Sequence, residues 1–387
     1  VSPIAAPTRS QALAAVGLGL NALAITGLFA PLMGALADEH RLSVPQMGLT
    51  ATAELFSVAV AAGAAGAFLE PKRLRAIGAG ACLALACCDL ATTAASGWLT
   101  AGVRAAAGLA EGLLLWITIG MIARMQTPER WAAVFLTATT VLQLLLALAF
   151  ATFAIPAFGA NGGYALLALC ALLGLAPTLA APNQYAPLVG GEAGAGGPPP
   201  RGWIALAATV LFFSANGAVV IYLQRYALQA GLTPAVARTA VWVALAAQLA
   251  GGAVATGLAG RIRWLPVFVG GTVLWLVVWT CFWMRVPAPL FIAANGLSGF
   301  VALLVGPFYV PLAIEADPSR RAAMQTGAAQ LLGGALGPLM TIGLVSDRDA
   351  HPVLILGAGL LISGLVIMIW LHVTFAISNL RSAIGAK

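Results

Sequence analysis

Ser10 to Ala37 runs without a charged side chain, and so do Leu265–Met284, Val286–Ile314 and Ala322–Ser346. Each is as long as or longer than the ~18–20 apolar residues a helix needs to cross a bilayer, where only helices and closed barrels satisfy their own backbone. Composition agrees. Hydrophobic residues make up 61% of the chain and charged ones 8%, with a mean hydropathy of +0.97, whereas a soluble domain carries roughly 25% charge. A soluble globular fold is excluded, and the 44 glycines and 22 prolines suit transmembrane helices that pack closely and bend.

Counting apolar runs gives about twelve spans, near 11–37, 46–69, 75–95, 97–123, 131–154, 162–181, 203–225, 236–259, 264–284, 287–314, 322–345 and 351–376. Trp131 to Gly191 is one uncharged stretch, which Ile155–Gly163 breaks into two crossings. The first apolar run is too long for a signal-peptide h-region, so no cleavable signal is expected. With both termini cytoplasmic, thirteen Lys and Arg fall inside and five outside, leaving Arg104 in the membrane. The formal charge of +7 thus reads as the positive-inside rule and not as nucleic-acid binding. All five cysteines fall within spans, without a CxxC or a partnered histidine, and read as packing residues.

The chain also repeats itself. Pro182–Gly202, with a Gly-rich run ending in three prolines, is expected to be a flexible cytoplasmic linker between an N-terminal bundle at 1–181 and a C-terminal bundle at 203–387. Pro128-Glu-Arg130 after span four is answered by Pro318-Ser-Arg320 after span ten, at an offset of 190. Gly108 answers to Gly296 and Arg75 to Arg263, both at 188, and Asn21 to Asn216 at 195. Four matches in order at nearly constant offset indicate two parallel six-helix halves. Such repeats carry their substrate site at the membrane midplane, and one half rocks on the other.

Charges inside spans are costly, ~2.5–3.5 kcal/mol each on insertion scales, and mark coupling or substrate sites. Four stand out: Glu54, Asp89, Arg104 and Glu111, all in the first half. Counting residues from the outer span ends puts Glu54, Asp89 and Arg104 at one depth, roughly 10–12 Å in. Contact of Arg104 with one of the two acids is therefore expected. Glu111 follows Arg104 by seven residues, two turns on the same helix face. It is expected near the membrane centre without an obvious partner, where burial favours the protonated acid and a nearby arginine the ionised one.

On its motifs the chain resembles the major facilitator superfamily over essentially its whole length. Gly66-Ala-Phe-Leu-Glu70-Pro-Lys72-Arg73-Leu-Arg75 stands where that family carries Gly-x-x-x-Asp and a basic cluster between helices two and three, with Glu for Asp. Gly66, Glu70, Arg73 and Arg75 are then the expected conformational latch, a carboxylate at a helix end pairing with arginines. The matching turn Gly257–Arg263 has no acid, so a weaker latch is expected there. Arg104-Ala-Ala-Ala-Gly108 matches the family's Arg-x-x-x-Gly in helix four, which the resemblance links to proton coupling. The family's antiporter signature Gly-x-x-x-Gly-Pro is absent from helix five, and a fragment, Gly333–Pro338, lies in helix eleven instead.

The resemblance further implies a cavity lined by helices one, four, seven and ten. Their polar residues are Asn21 and Thr26; Glu111 and Thr118; Ser214, Asn216, Tyr222 and Gln224; and Asn295, Ser298 and Tyr309. Asn21, Asn216, Tyr222, Asn295 and Tyr309 are the candidate cavity residues. Trp242, Trp275, Trp279 and Trp283 are expected to be lipid-facing or interfacial. The expected protein is an all-α, multi-pass protein of the bacterial inner membrane, a monomer. Its expected activity is alternating-access symport of a small organic solute with a proton, and no metal, cofactor or nucleic acid is expected. An organic anion is the expected solute because Arg104 is the one buried cation. The alternative is proton-driven efflux by antiport. A membrane-embedded enzyme finds no support, since His40, His351 and His372 all lie near span ends with no nucleophile–base pattern. A retinal photoreceptor would need an intramembrane lysine, and Lys72 and Lys387 are both outside the spans. A receptor that does not transport is the remaining alternative.

Overall fold

The computed structural model describes residues 8–186, 197–341, 344 and 350–385. The Gly-rich centre of the expected linker and the end of the eleventh expected span lie outside them. Twelve principal helices follow one another: α1 (Arg9–Leu23), α2 (Val44–Phe68), α3 (Leu74–Ala94), α4 (Trp98–Ile122), α5 (Pro128–Ala149), α6 (Ile155–Leu173), α7 (Pro200–Val220), α8 (Pro234–Leu258), α9 (Trp264–Trp283), α10 (Ala288–Val305), α11 (Thr326–Met340) and α12 (His351–Gly385). Short helical pieces extend α1 through Phe29–Asp38, α6 through Leu175–Ala180, α7 through Leu223–Gln229 and α10 through Tyr309–Ala316. Ten helical stretches among the described residues are long and apolar enough to cross a membrane. One of them, the 53-residue Pro128–Ala180, is α5 and α6 together, and α11 is a shorter apolar helix of 15 residues. This is the expected all-α, twelve-helix architecture.

Local chemistry sets the helix ends. Thr8 and Ser43 open α1 and α2 with capping boxes, reciprocated by Gln11 and Gln46. Proline occupies the first turn of α2, α7, α8 and α10, where its missing N–H leaves no orphan. Between α5 and α6 the chain passes through a π-helical turn at Phe150–Ala154 and a break at Gly159, whose φ is 63°. A Cβ at Gly159 would strike Glu39 Oε1, the same oxygen that accepts a hydrogen bond from Ala160 N at 2.6 Å. Glu39 therefore caps the helix that restarts there.

Glu39 belongs to a polar clasp centred on Arg41. Arg41 donates through Nε and Nη2 to Ala95 O at 3.1 and 2.7 Å, and through Nη2 to Thr92 O. Its Nη1 reaches Asn161 Oδ1 at 2.7 Å and Glu39 Oε2 at 3.3 Å. A cation thus sits on the orphan carbonyls at the end of α3, and an anion on the N–H groups of restarted α6, each at the helix pole it complements.

The chain forms two compact units: Val1–Gln126 with Thr137–Gly196, and Thr127–Leu136 with Gly197–Lys387. Inside the first, α2 packs on α4, α3 on α4 and α6, and α1 on α4 and on the extension of α6. Inside the second, α8 packs on α10, α9 on α10 and α12, and α7 on α12 and on the extension of α10. The pairings of α2 with α4, α3 with α4 and α3 with α6 recur as α8 with α10, α9 with α10 and α9 with α12, whereas α7 packs closely on α11 and α1 has no comparable contact with α5. A side-chain hydrogen bond nevertheless joins each of those last two pairs. Gln143 of α5 donates to Leu23 O at the end of α1 at 2.7 Å, and Ser214 of α7 donates to Gly333 O of α11 at 3.1 Å.

Close approach at glycine sets the tightest of these contacts, as membrane helices require when no hydrophobic gradient drives them together. A Cβ on Gly108 would collide with the carbonyl of Glu54, and one on Gly112 would lie 2.6 Å from Val58 O. In the second unit a Cβ on Gly299 would collide with the carbonyl of Ala244 in the same way. Trp242 and Trp283 are exposed, but Trp275 and Trp279 correct the lipid-facing expectation, because each is only 3% exposed. The face of α9 that carries them turns inward, and Trp275 meets Phe212 of α7 edge-on.

Gly112→Val should lower the unfolding midpoint in detergent by the equivalent of ~1–3 kcal/mol, the usual penalty for overpacking. Gly102→Ala on the same helix, where an added methyl meets nothing within 4 Å, should leave the midpoint unchanged.

Candidate functional site

The close approach of α4 to α2 at Gly108 carries Arg104, one turn earlier, up to Glu54. Arg104 Nε donates to Glu54 Oε2 at 3.0 Å and Nη2 to Glu54 Oε1, a two-pronged pairing of guanidinium with carboxylate. The remaining edge is used as well, since Nη1 donates to Asp89 Oδ1 of α3 at 2.6 Å. Three helices thus meet at one cation. Arg104 and Glu54 have fully buried side chains, and Asp89 is 2% exposed. The ring of Tyr164, from α6, covers the guanidinium at 5.4 Å.

Glu111 joins the same group. Its Oε1 lies 3.8 Å from Arg104 Nη2, close enough for charge interaction but beyond a hydrogen bond, and its side chain is 2% exposed. Its Oε2 has no hydrogen-bond partner among the described residues, and neither do Tyr164 Oη, Thr50 Oγ1 or Thr100 Oγ1. Thr50 and Thr100 sit one helical turn from Glu54 and Arg104. The two-turn spacing of Arg104 and Glu111 brings the acid back towards the arginine's side chain, so Glu111 is a fourth member of the cluster and not a solitary deeper acid.

Three carboxylates therefore surround one guanidinium in a place without water-exposed surface. If all three were ionised, the cluster would carry a net charge of −2. Burial of unpaired charge costs several kcal/mol per ion even after relaxation, so the group is stable only when protons or other cations make up the difference. Asp89 and Glu111 also border a small pocket with room for about one water molecule, with Asn21, Ala24, Ile25, Leu85, Leu167 and Cys170 completing its wall.

The other candidates are placed as follows. Asn21 is 8% exposed, and its Nδ2 lies 3.5 Å from Gly17 O. Thr118 donates to Ala15 O at 2.7 Å and ties α4 to α1. In the second unit Asn216 has an unpartnered Oδ1, and Tyr222 Oη lies 2.8 Å from Thr341 Oγ1. Asn295 donates to Ala240 O at 2.8 Å within the α8–α10 contact. Tyr309 is 2% exposed and packs against Phe212, Phe213 and Phe268. The side chain of Gln224 lies outside the described residues.

At the α2–α3 turn, Glu70 pairs with its neighbour Lys72 at 2.6 Å, both more than half exposed, an arrangement worth ~0–1 kcal/mol. The turn is fastened by other atoms. Arg75 Nε donates to Ala181 O at 2.7 Å, Leu74 N to Asn183 O at 2.9 Å and Tyr185 N to Pro71 O at 3.0 Å. Arg73 adopts a left-handed φ of 56°, and Gly66 belongs to the last turns of α2. The corresponding turn of the second unit corrects the expectation of a latch without an acid. Glu315, from the extension of α10, lies 3.7 Å from Arg263 Nη2, accepts from Trp264 Nε1 at 2.6 Å and stands 3.9 Å from His372 Nδ1.

No known family profile matches this sequence, and no curated protein matches it. Solved structures do. One described as a major facilitator superfamily transporter, FucP, in the outward conformation aligns with a TM-score of 0.73 at 14% identity, covering 94% of this chain and 99% of its own. A variant of the E. coli fucose:proton symporter FucP aligns at 0.70 with 12% identity, covering 93% and 98%. The proton:xylose symporter XylE bound to 6-bromo-6-deoxy-D-glucose aligns at 0.66 with 13% identity, covering 93% and 94%. The protein has the architecture of a multi-pass helical membrane protein. Its fold is that of the major facilitator superfamily.

Arg104→Leu should destabilise the chain by ~3–5 kcal/mol, because it strands buried acids. Adding Glu54→Gln to that variant should restore part of the loss. Arg104→Lys should also be damaging, since an ammonium cannot grip two carboxylates with a planar fork. Unfolding midpoints in detergent measure all three.

Proposed function

We propose that this chain is a proton-coupled secondary carrier of a small organic solute, working by alternating access, with 1–181 and 203–387 as its two bundles and 182–202 as a cytoplasmic linker. The observation that carries the reading is the surplus of buried acid around Arg104. A cluster that is stable only when cations neutralise it must exchange them when its surroundings change. Alternating access would bring such a change, and the reading is supported by solved structures of this fold, two of which are described as proton symporters. The positive-inside count supports cytoplasmic termini in a bacterial inner membrane, and the carrier is taken to work as a monomer.

Glu111 is the proposed proton carrier. It is the one acid of the cluster not hydrogen-bonded to Arg104, and it faces the pocket. Arg104 has a structural part in this reading. With both faces of its fork engaged by Glu54 and Asp89, it offers little to an anionic solute, so the argument for an organic anion loses its support. Symport is the leading direction. Efflux by antiport is the second reading, because a cationic solute and a proton that compete for one acid produce exchange.

The test is proton movement in proteoliposomes loaded with a pH-sensitive dye and challenged from outside with sugars, carboxylates and amines in turn. One class should acidify the lumen if the carrier is a symporter, or alkalinise it if it is an antiporter. Glu111→Gln, a mimic of the protonated acid, should abolish that signal while leaving solute binding intact. Silence of the parent protein with all three classes would refute the proposal, and a full signal from Glu111→Gln would move the proton to Glu54 or Asp89.

A further inference from the structure

We infer that His372 and Glu315 form a pH-dependent tie between α12 and the extension of α10, weak while the histidine is neutral and strong once it is protonated. The tie does not depend on the carrier reading. With both termini cytoplasmic, as proposed, it faces the cytoplasm, and the second unit would then respond to the pH of that side.

Glu315 is shared among three elements. Its Oε2 accepts from Trp264 Nε1, at the start of α9, at 2.6 Å. Its Oε1 lies 3.7 Å from Arg263 Nη2 and 3.9 Å from His372 Nδ1, both beyond a hydrogen bond. His372 Nδ1 is buried with no hydrogen-bond partner among the described residues, and the Trp264 ring stands against the imidazole at 5.6 Å and nearly at right angles. The histidine side chain as a whole is 28% exposed, so protons can reach it. A lone pair on Nδ1 would face a carboxylate oxygen, and an N–H there faces an acceptor. In the imidazolium both ring nitrogens are donors, and the bond to a carboxylate becomes charge-assisted.

Few other charges stand near the pair among the described residues. Arg263 is permanently charged but 72% exposed, so solvent screens it. α7 packs on both α12 and the extension of α10 and brings Arg201, whose guanidinium lies over the Phe375 ring at 5.8 Å, one turn beyond His372. The short helix Arg321–Met324 brings Arg321, while α9 and α11 contain no charged residue. Asp317, two residues after Glu315, is engaged with its own turn, through Oδ1 with Ser319 N and through Oδ2 with Ala322 N. Histidine is the side chain whose charge ordinarily changes between about pH 5 and 8, and His372 is the one beside Glu315. A charge pair made by a histidine in the folded state is complete below that range and is lost as pH rises through it.

The test is a double-mutant cycle on the purified full-length protein in detergent, with thermal unfolding followed at about pH 5.5 and at about pH 8.5. His372→Gln, Glu315→Gln and the two together are compared with the parent. At the lower pH, His372→Gln should cost about 1–2 °C more in the parent than where Glu315→Gln is already present. At the higher pH that difference should vanish. A difference of equal size at both pH values would mean an uncharged contact, and none at the lower pH would mean no contact. Either result would overturn the inference. Where Glu315→Gln fails to fold, the gap in melting temperature between the parent and His372→Gln decides alone. It should shrink from the lower pH to the higher, and a gap that stays constant would overturn the inference as well.

Discussion

The pairing of Arg104 with Glu54 and Asp89 is the constraint around which the first unit is organised. A guanidinium at that position has no water to turn to, and breaking such a pair by removing one partner costs about 3–5 kcal/mol. α2, α3 and α4 are consequently held to one another by a single side chain. Its reach to Glu54 depends on backbone proximity, and Gly108 provides it, one turn further along, by leaving room for the carbonyl of Glu54 itself. Small residue, close backbone and paired charge form one device. Tyr164 seals it from α6, with a ring face that suits a delocalised cation.

The second unit repeats the backbone geometry and omits the charge. Gly299 approaches Ala244 as Gly108 approaches Glu54, so the place of the glutamate is taken by a methyl group. What holds that unit is an aromatic core, in which Phe212, Phe268, Trp275 and Tyr309 meet mostly edge to face, the arrangement that aromatic quadrupoles prefer. One of its acids, Glu315, is in the extension of α10, with Arg263, Trp264 and His372 around it. Several helix pairings recur in both halves, whereas the buried arginine with three acids around it lies in the first.

Much of this was legible in the sequence because membrane helices announce themselves by composition and buried charges by their rarity. Equal depth along the helix axes was enough to bring Arg104 towards Glu54 and Asp89, since adjacent helices at one level leave a long side chain little else to reach. Depth along an axis says nothing about reach around it, however, and Glu111 was expected deeper and alone for that reason. Partners that come from distant spans were invisible. Nothing local marks Arg41 as the clasp for the ends of α3 and α6, or Glu315 as the acid for Arg263, because each contact joins residues about 50 or more positions apart. Trp275 and Trp279 were misjudged because a helix outside the cavity still has an inner face, and hydropathy alone does not orient it. The break between α5 and α6 was readable from Pro156 and Gly159, but the role of Gly159 in admitting Glu39 required the fold.

In the proposed carrier the cluster would have to stay intact while the bundles move. Two bundles that rock must remain intact as they move, so any group that changes charge during the cycle has to be neutralised without help from the opposite bundle at every stage. The cluster meets that condition. Arg104, Glu54, Asp89 and Glu111 all reside in one unit, and the spare acceptor on Glu111 is beside the two-carboxylate grip and not part of it. A cation arriving at Glu111 can therefore change the net charge while the grip on Arg104 stays closed. The same arginine that holds the bundle together keeps the negative charge of Glu54 and Asp89 close to Glu111, the acid proposed to carry the proton. The energetic sensitivity of the site and the rigidity of its frame thus come from one interaction.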